Sequence, residues 1–187
     1  MISAVFDACV LYCVLLRELL LSFATAKLVD PFWSQEIQDE WTHSLLRNRP
    51  DLQQENLERV CRNMRFHFPN GLVRGYESIT STLTLPDLKD RHVLAVALHA
   101  EVEYIVTTNL VDFPNDILQP YGIQALSPDE FILLLIQKRP GRVLQVVKAH
   151  RLSLTRPSQT VGEYLATLEK QGLLKTVAFL REHRDAI

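Results

Sequence analysis

Long apolar runs are missing from this 187-residue chain. The stretch from Ala8 to Ala26 comes nearest, but Arg17 and Glu18 interrupt it, and no segment reaches the ~18 uncharged residues a membrane span needs. Met1 to Ala8 carries one acid and no basic side chain, unlike the start of a secretion signal. Cysteine is scarce: Cys9, Cys13 and Cys61 are odd in number and contain no Cys-x-x-Cys pair, which argues against a disulfide framework and a zinc site. All three are expected as small core residues in a reducing cytoplasm. There is no excess of positive charge, because 20 basic against 22 acidic residues give a net charge of -2. A uniformly basic nucleic-acid binder is therefore excluded, and any such contact must come from a local patch. No internal repeat or low-complexity tract is visible.

What is present suits an ordinary globular chain. With 47% hydrophobic and 22% charged residues, it can bury one sizeable core and a small appended subdomain. Ile2 to Phe6 is a β-rich run ending at Asp7, followed by an apolar stretch, Ala8 to Leu21, expected as a helix buried on most sides. Dimerisation or packing against later helices would cover its surplus apolar surface. Ser34 is placed to cap a helix carrying Ile37, Trp41 and Leu45, with Glu40 at its polar edge. Asp51 is expected to cap the next helix, whose inward face is Leu57, Val60, Cys61 and Met64, before Pro69-Asn70-Gly71 breaks the chain. Residues 72–85 are ambiguous. Pro86-Asp87 opens a helix with Asp90 in its first turn, Tyr104 to Thr108 is a second strand, and Gly122 to Leu126 a third. Ser127-Pro128-Asp129-Glu130 combines an N-cap serine, proline at the first helical position and glutamate at the third. That helix runs to about Lys138, and only helical patterning follows it.

Asp7, Glu40, Asp90 and Asp112 all fall where these signals change. A parallel α/β fold could gather such positions at the carboxyl rim of its sheet, where open sheets bind ligands. Four buried like charges repel and would raise one another's pKa unless a cation joined them. Mg²⁺ or Mn²⁺ fits an all-oxygen set, and no comparable nitrogen or sulfur site is offered.

Three features carry a family likeness: Val5-Phe6-Asp7-Ala8 after the first strand, Glu40 within Glu36-Ile37-Gln38-Asp39-Glu40-Trp41, and the paired segments Leu85 to Ala95 and Ile105 to Pro114. The chain resembles the PIN-domain family of metal-dependent nucleases, whose bacterial members include VapC-type toxins of toxin-antitoxin pairs. The resemblance spans roughly residues 1–137. It implies a PIN-like parallel sheet flanked by helices, with residues 138–187 as a small helical extension. It also implies an Mg²⁺- or Mn²⁺-dependent endoribonuclease of the cytoplasm, restrained by a small antitoxin, with Asp7 and Asp90 as direct ligands and Glu40 and Asp112 assisting. Many relatives carry a further Asp where Asn109 stands, so Asp112 takes the fourth acidic place and Asn109 becomes a neutral neighbour.

Blander readings stand beside these. Asp87 can be a cap or a ligand, and Glu36 lies one turn before Glu40 and can replace it. Thr108 can offer a hydroxyl or merely suit a strand. His92 and His99 share a helix without a third ligand, so structural roles are expected for both. Lys138, Arg139, Arg142, Lys148, Arg151 and Arg156 form a stripe without acids that suits RNA phosphates or an acidic antitoxin segment. A catalytically silent binding module is one alternative. Another is a different Mg²⁺ phosphohydrolase, although Cys9 stands where the haloacid-dehalogenase signature needs an aspartate.

Overall fold

The computed structural model describes residues 1–155 and 157–187. Its first strand, β1 (Ile2–Phe6), is buried almost throughout, as expected of a parallel strand covered on both faces. The apolar stretch after it is not one helix. It divides into α1 (Ala8–Tyr12) and α2 (Val14–Thr25), because Cys13 adopts extended backbone. Such a break leaves helical carbonyls without their usual donors. Arg17, only 3% exposed, answers one of them by donating from its guanidinium to the Leu11 carbonyl at 2.7 Å. The same guanidinium lies 4.7 Å from the centre of the Trp41 ring, a cation-π contact inside the fold.

Two strands went unrecognised in the sequence. β2 (Val29–Ser34) contains Asp30 and Pro31, residues that demote a run to loop or edge. It is tolerated here because β2 pairs on its far side only at Trp33 and Ser34. Ser34 then caps α3 (Gln35–Asn48) as expected, accepting from the Ile37 amide at 3.1 Å. Asp51 does not cap α4 (Gln54–His67); Gln53 occupies that position without a side-chain bond. Asp51 instead accepts two bonds from Arg49, at 2.9 and 2.7 Å, and this bidentate pairing outcompetes capping. The ambiguous region holds the two-residue β3 (Leu72–Val73) and the single turn α5 (Glu77–Thr80).

A 3₁₀ turn at Leu88–Asp90 leads into α6 (Arg91–His99). β4 (Tyr104–Val106), a 3₁₀ turn at Leu110–Asp112, α7 (Asn115–Leu118) and β5 (Gln124–Leu126) follow. All the pairings are parallel, in the order β3-β2-β1-β4-β5. From β1 the chain moves to β2 on one side, and β4 lies on the other. The carboxyl ends of β1 and β4 therefore flank a topological switch point.

α8 (Pro128–Lys138) carries the full capping box expected from Ser127 and Glu130. The remaining helices are α9 (Pro140–Ser153), α10 (Val161–Lys170) and α11 (Leu174–Glu182). They are bound into the same hydrophobic core as the sheet. Asp129 of α8 ties down the start of α11 by accepting from the Lys175 and Thr176 amides at 2.9 and 2.8 Å. α9 packs against α2, which covers internally the surplus apolar surface of that helix. Among the described residues no helix is long and apolar enough to cross a membrane.

Arg17 stabilises the helix break, so Arg17→Ala should cost about 2–4 kcal/mol, leaving the Leu11 carbonyl unpaired and Trp41 undercovered. Arg17→Met keeps the packed stem and should cost less. Urea denaturation checks both, as a lower midpoint at unchanged slope.

Candidate active site

The site is built on the β1–β4 pairing. The strands stay in register to their ends, with Phe6 opposite Val106, and the Asp7 amide donates to the Val106 carbonyl at 3.1 Å. Asp7 is 8% exposed and its charge is met by three donors. Its Oδ1 accepts from the Ala8 amide at 2.6 Å, and its Oδ2 accepts from the Thr107 hydroxyl at 2.6 Å and the Cys9 thiol at 3.2 Å. A carboxylate offers about four lone-pair directions, so one remains for a further ligand.

Asp90 and Asp112 approach this carboxylate from two 3₁₀ turns. The Asn109 side-chain amide lies between them, 3.5 Å from Asp90 Oδ2 and hydrogen-bonded to Asp112 Oδ2. Asp90 is pushed up to about 6, first by burial, then by the charges of Asp7, Asp112 and Asp87, with His92 opposing. Like charges raise a carboxyl this way only when they share one neighbourhood. Asp87 itself is exposed and caps the turn, accepting from the Lys89 amide at 2.9 Å.

Glu40 joins through His92. The buried His92 places Nε2 3.1 Å from Glu40 Oε1 and Nδ1 3.7 Å from Glu36 Oε2. Burial opposes its charged form, but the Glu40 bond and the charges of Glu40, Glu36 and Asp7 outweigh it and raise its pKa. Glu36 also accepts from the Tyr76 hydroxyl at 3.2 Å. The two glutamates one turn apart thus both face the imidazole.

Three expectations change. Thr107, not Thr108, supplies the hydroxyl, because Asp7 continues the register that sets Val106 beside Phe6. Thr108 is exposed and contributes its backbone amide, 3.3 Å from Cys9 Sγ. Cys9 is not an inert core residue: burial and the Asp7 charge raise its pKa, which keeps it a neutral thiol able to donate. His92 is buried rather than at the surface, with Nε2 against Glu40 and only its charge felt at Asp90. The Asp-x-Cys spacing was a visible signal for Cys9. Thr107 and His92 needed the β1–β4 register and the placement of α3 beside α6.

The basic stripe lies elsewhere. Lys138 and Arg139 line a cavity with Met1, Ile2 and Leu28, at the amino end of β1, and five residues of strand put ~16 Å between Ile2 and Asp7. Arg142 donates to the Ala26 carbonyl at 3.4 Å and Arg151 to the Gln159 carbonyl at 3.0 Å. Lys148 is exposed on α9, and Arg156 lies outside the described residues. Lys138, Arg139 and Arg142 thus lie on the side of the sheet where β1 begins, away from the acids.

Among the described residues, no three His, Cys, Asp or Glu side chains stand at a spacing that would ligate one ion directly. The donor chemistry nevertheless fits a hard divalent cation, which keeps several waters and needs few carboxylates. The raised Asp90 marks the uncompensated negative field such an ion would relieve.

A family model described as "PIN domain" matches residues 3–110, and one described as "VapC50 C-terminal domain" matches residues 128–182. The curated protein "Putative ribonuclease VapC50" of Mycobacterium tuberculosis (strain ATCC 25618 / H37Rv) is 49% identical over 69 residues, 35% of this chain and 40% of that protein. The chain thus spans about 40% of the length of this relative. No solved structure matches the chain.

The shifts of Asp90 and His92 predict the pH dependence of stability without metal. Asp90 has a folded pKa above its unfolded value, so its contribution is full below about 3.8 and is lost as pH rises through about 6. His92 has the same sign, its contribution being full below 6.5 and lost above its raised folded value. Thermal unfolding in EDTA should therefore show Tm contributions from both groups that fall with rising pH. Asp90→Asn should flatten the interval near pH 4–6, and His92→Gln the interval above 6.5.

Proposed function

The chain belongs to the PIN-domain family, and from that premise we propose that it is a metal-dependent endoribonuclease, the toxin of a toxin-antitoxin pair. The observation that carries this reading is the convergence of Asp7, Asp90 and Asp112 at the sheet's switch point, where Thr107 donates to Asp7 and the Asn109 side chain reaches both other acids. Mg²⁺ or Mn²⁺ is the ion proposed, on the hardness of an all-carboxylate donor set. The name of the partial relative supports RNA as substrate. With this reading go a PIN-like domain over residues 1–137, a helical extension over 138–187, a small antitoxin as partner and a cytoplasmic setting. The remote basic stripe on α8 and α9 suits an acidic antitoxin segment better than the scissile strand. A homodimer is not required to cover α2.

When bound, a divalent ion makes water a better nucleophile and neutralises charge on the phosphodiester. Asp7 would hold it with the lone pair its three donors leave free. Its orientation is fixed beforehand by Ala8, Thr107 and Cys9, so little ordering remains to be done on loading. Asp90 would join Asp7 as a second ligand and Asp112 would act through a bound water, with the Asn109 amide between the two acids moderating their repulsion. Glu40, held 3.1 Å from His92 Nε2, is positioned to hold a water or receive its proton.

RNA cleavage in Mg²⁺ or Mn²⁺ should disappear on adding EDTA. Supporting groups around metal ligands cost 10–100-fold, so Asp7→Asn and Asp90→Asn, which remove ligands, should each cost roughly 100-fold or more. Cleavage surviving EDTA and both substitutions would refute the reading. Millimolar Mg²⁺ should also raise the Tm of the intact protein by mass action, and the Asp90→Asn protein should lose most of that rise.

A further inference from the structure

Beside the acids lies a cleft of about 580 Å³ between α1 and α3, lined among others by Cys9, Tyr12, Glu40, His43, Ser44 and Arg47. It is continuous with the site, because Cys9 donates to Asp7 and Glu40 bonds to His92. Its volume is within the range of pockets that enclose small ligands, ~300–1,000 Å³. Along α3 the lining residues Glu40, Ser44 and Arg47 recur at i, i+4 and i+7, one face of the helix. The sign of charge reverses along that row, from the glutamate at the acid cluster to the arginine ~10 Å away by helical rise. Arg47 makes one side-chain bond, to Ser44 Oγ at 3.3 Å, and among the described residues no carboxylate pairs with it. Tyr12, half-buried on the opposite wall, has its hydroxyl fixed by the Asn48 amide at 3.1 Å.

We propose that this cleft seats the single-stranded RNA flanking the scissile phosphate, with a base against the Tyr12 ring and a neighbouring phosphate on Arg47. The proposal rests on the ribonuclease reading and deepens it by assigning where the strand runs. An aromatic wall fixed at its polar end and a cation one step along the strand are the two parts of a sequence-tolerant RNA groove. The charge reversal also orients the strand. Phosphates are drawn to the Arg47 end and repelled from the acid end unless a cation is held there, so binding in the cleft does not need the metal and cleavage does. This path differs from the basic stripe, which starts at the far rim of the sheet.

The test is fluorescence anisotropy of a labelled oligouridine in EDTA across a salt series, paired with cleavage kinetics in Mg²⁺, on Arg47→Gln, Tyr12→Leu, Lys138→Gln and Arg139→Gln. Arg47→Gln should weaken binding, flatten the slope of log K against log salt by about 0.7, and raise KM with little change in kcat. Tyr12→Leu should weaken binding roughly tenfold at unchanged salt slope. If both variants bind RNA as the unaltered protein does while Lys138→Gln or Arg139→Gln weakens it, the strand crosses the far rim. The cleft assignment then falls, and the ribonuclease reading stands on its cleavage. Arg47-dependent binding of an oligoglutamate, with RNA indifferent to Arg47, would give the cleft to an acidic protein segment and also overturn the proposal. Unaltered protein that neither binds nor cuts RNA would overturn both.

Discussion

The pairing of β1 with β4 is the constraint from which the rest of the site follows. Two short parallel strands remain in register to their last residues, and one further bond, from the Asp7 amide to the Val106 carbonyl, carries the alignment past the sheet. That bond sets Asp7 and Thr107 side by side although they are 100 residues apart in the chain. It leaves a buried carboxylate already oriented, at the rim position where the crossovers from β1 diverge.

Carboxylates gathered around a buried one are costly, and the surroundings show how the cost is distributed. Asp7 is compensated by three donors. Asp90 has only the Asn109 amide at 3.5 Å and the His92 charge on its side, and burial followed by its acidic neighbours pushes its carboxyl up to about 6. His92 answers the glutamates of α3, and Cys9 stays a neutral thiol because it is buried and Asp7 is beside it. The site is thus poised to take up positive charge, while the cleft between α1 and α3 begins where this negative field ends.

Much of the architecture was legible because it is written in local chemistry. Ile2 to Phe6 ends in a charge, Pro86-Asp87 announces a helix, and Ser127 to Glu130 spells a capping box, so Asp7, Asp90 and the start of α8 needed only neighbouring residues. The illegible parts involve competition or distance. Arg49 takes Asp51 from its cap, and Cys13 breaks a helix with neither glycine nor proline to signal it. β2 persists through Asp30 and Pro31 because the sheet supplies pairing that local propensity opposes. The two-residue β3 carries no periodicity at all.

By itself the sequence determined the inventory: which acids exist, that Asp7 follows a strand and Asp90 stands at the start of a helix, and that no Cys-x-x-Cys pair accompanies them. Local propensity and capping are short-range, so they survive in a linear reading. Only the tertiary structure decided that Thr107 rather than Thr108 serves Asp7, that His92 is buried against Glu40, and that Lys138 and Arg139 lie at the opposite rim. Those outcomes depend on strand register and helix docking, which are set by packing among residues distant in the chain.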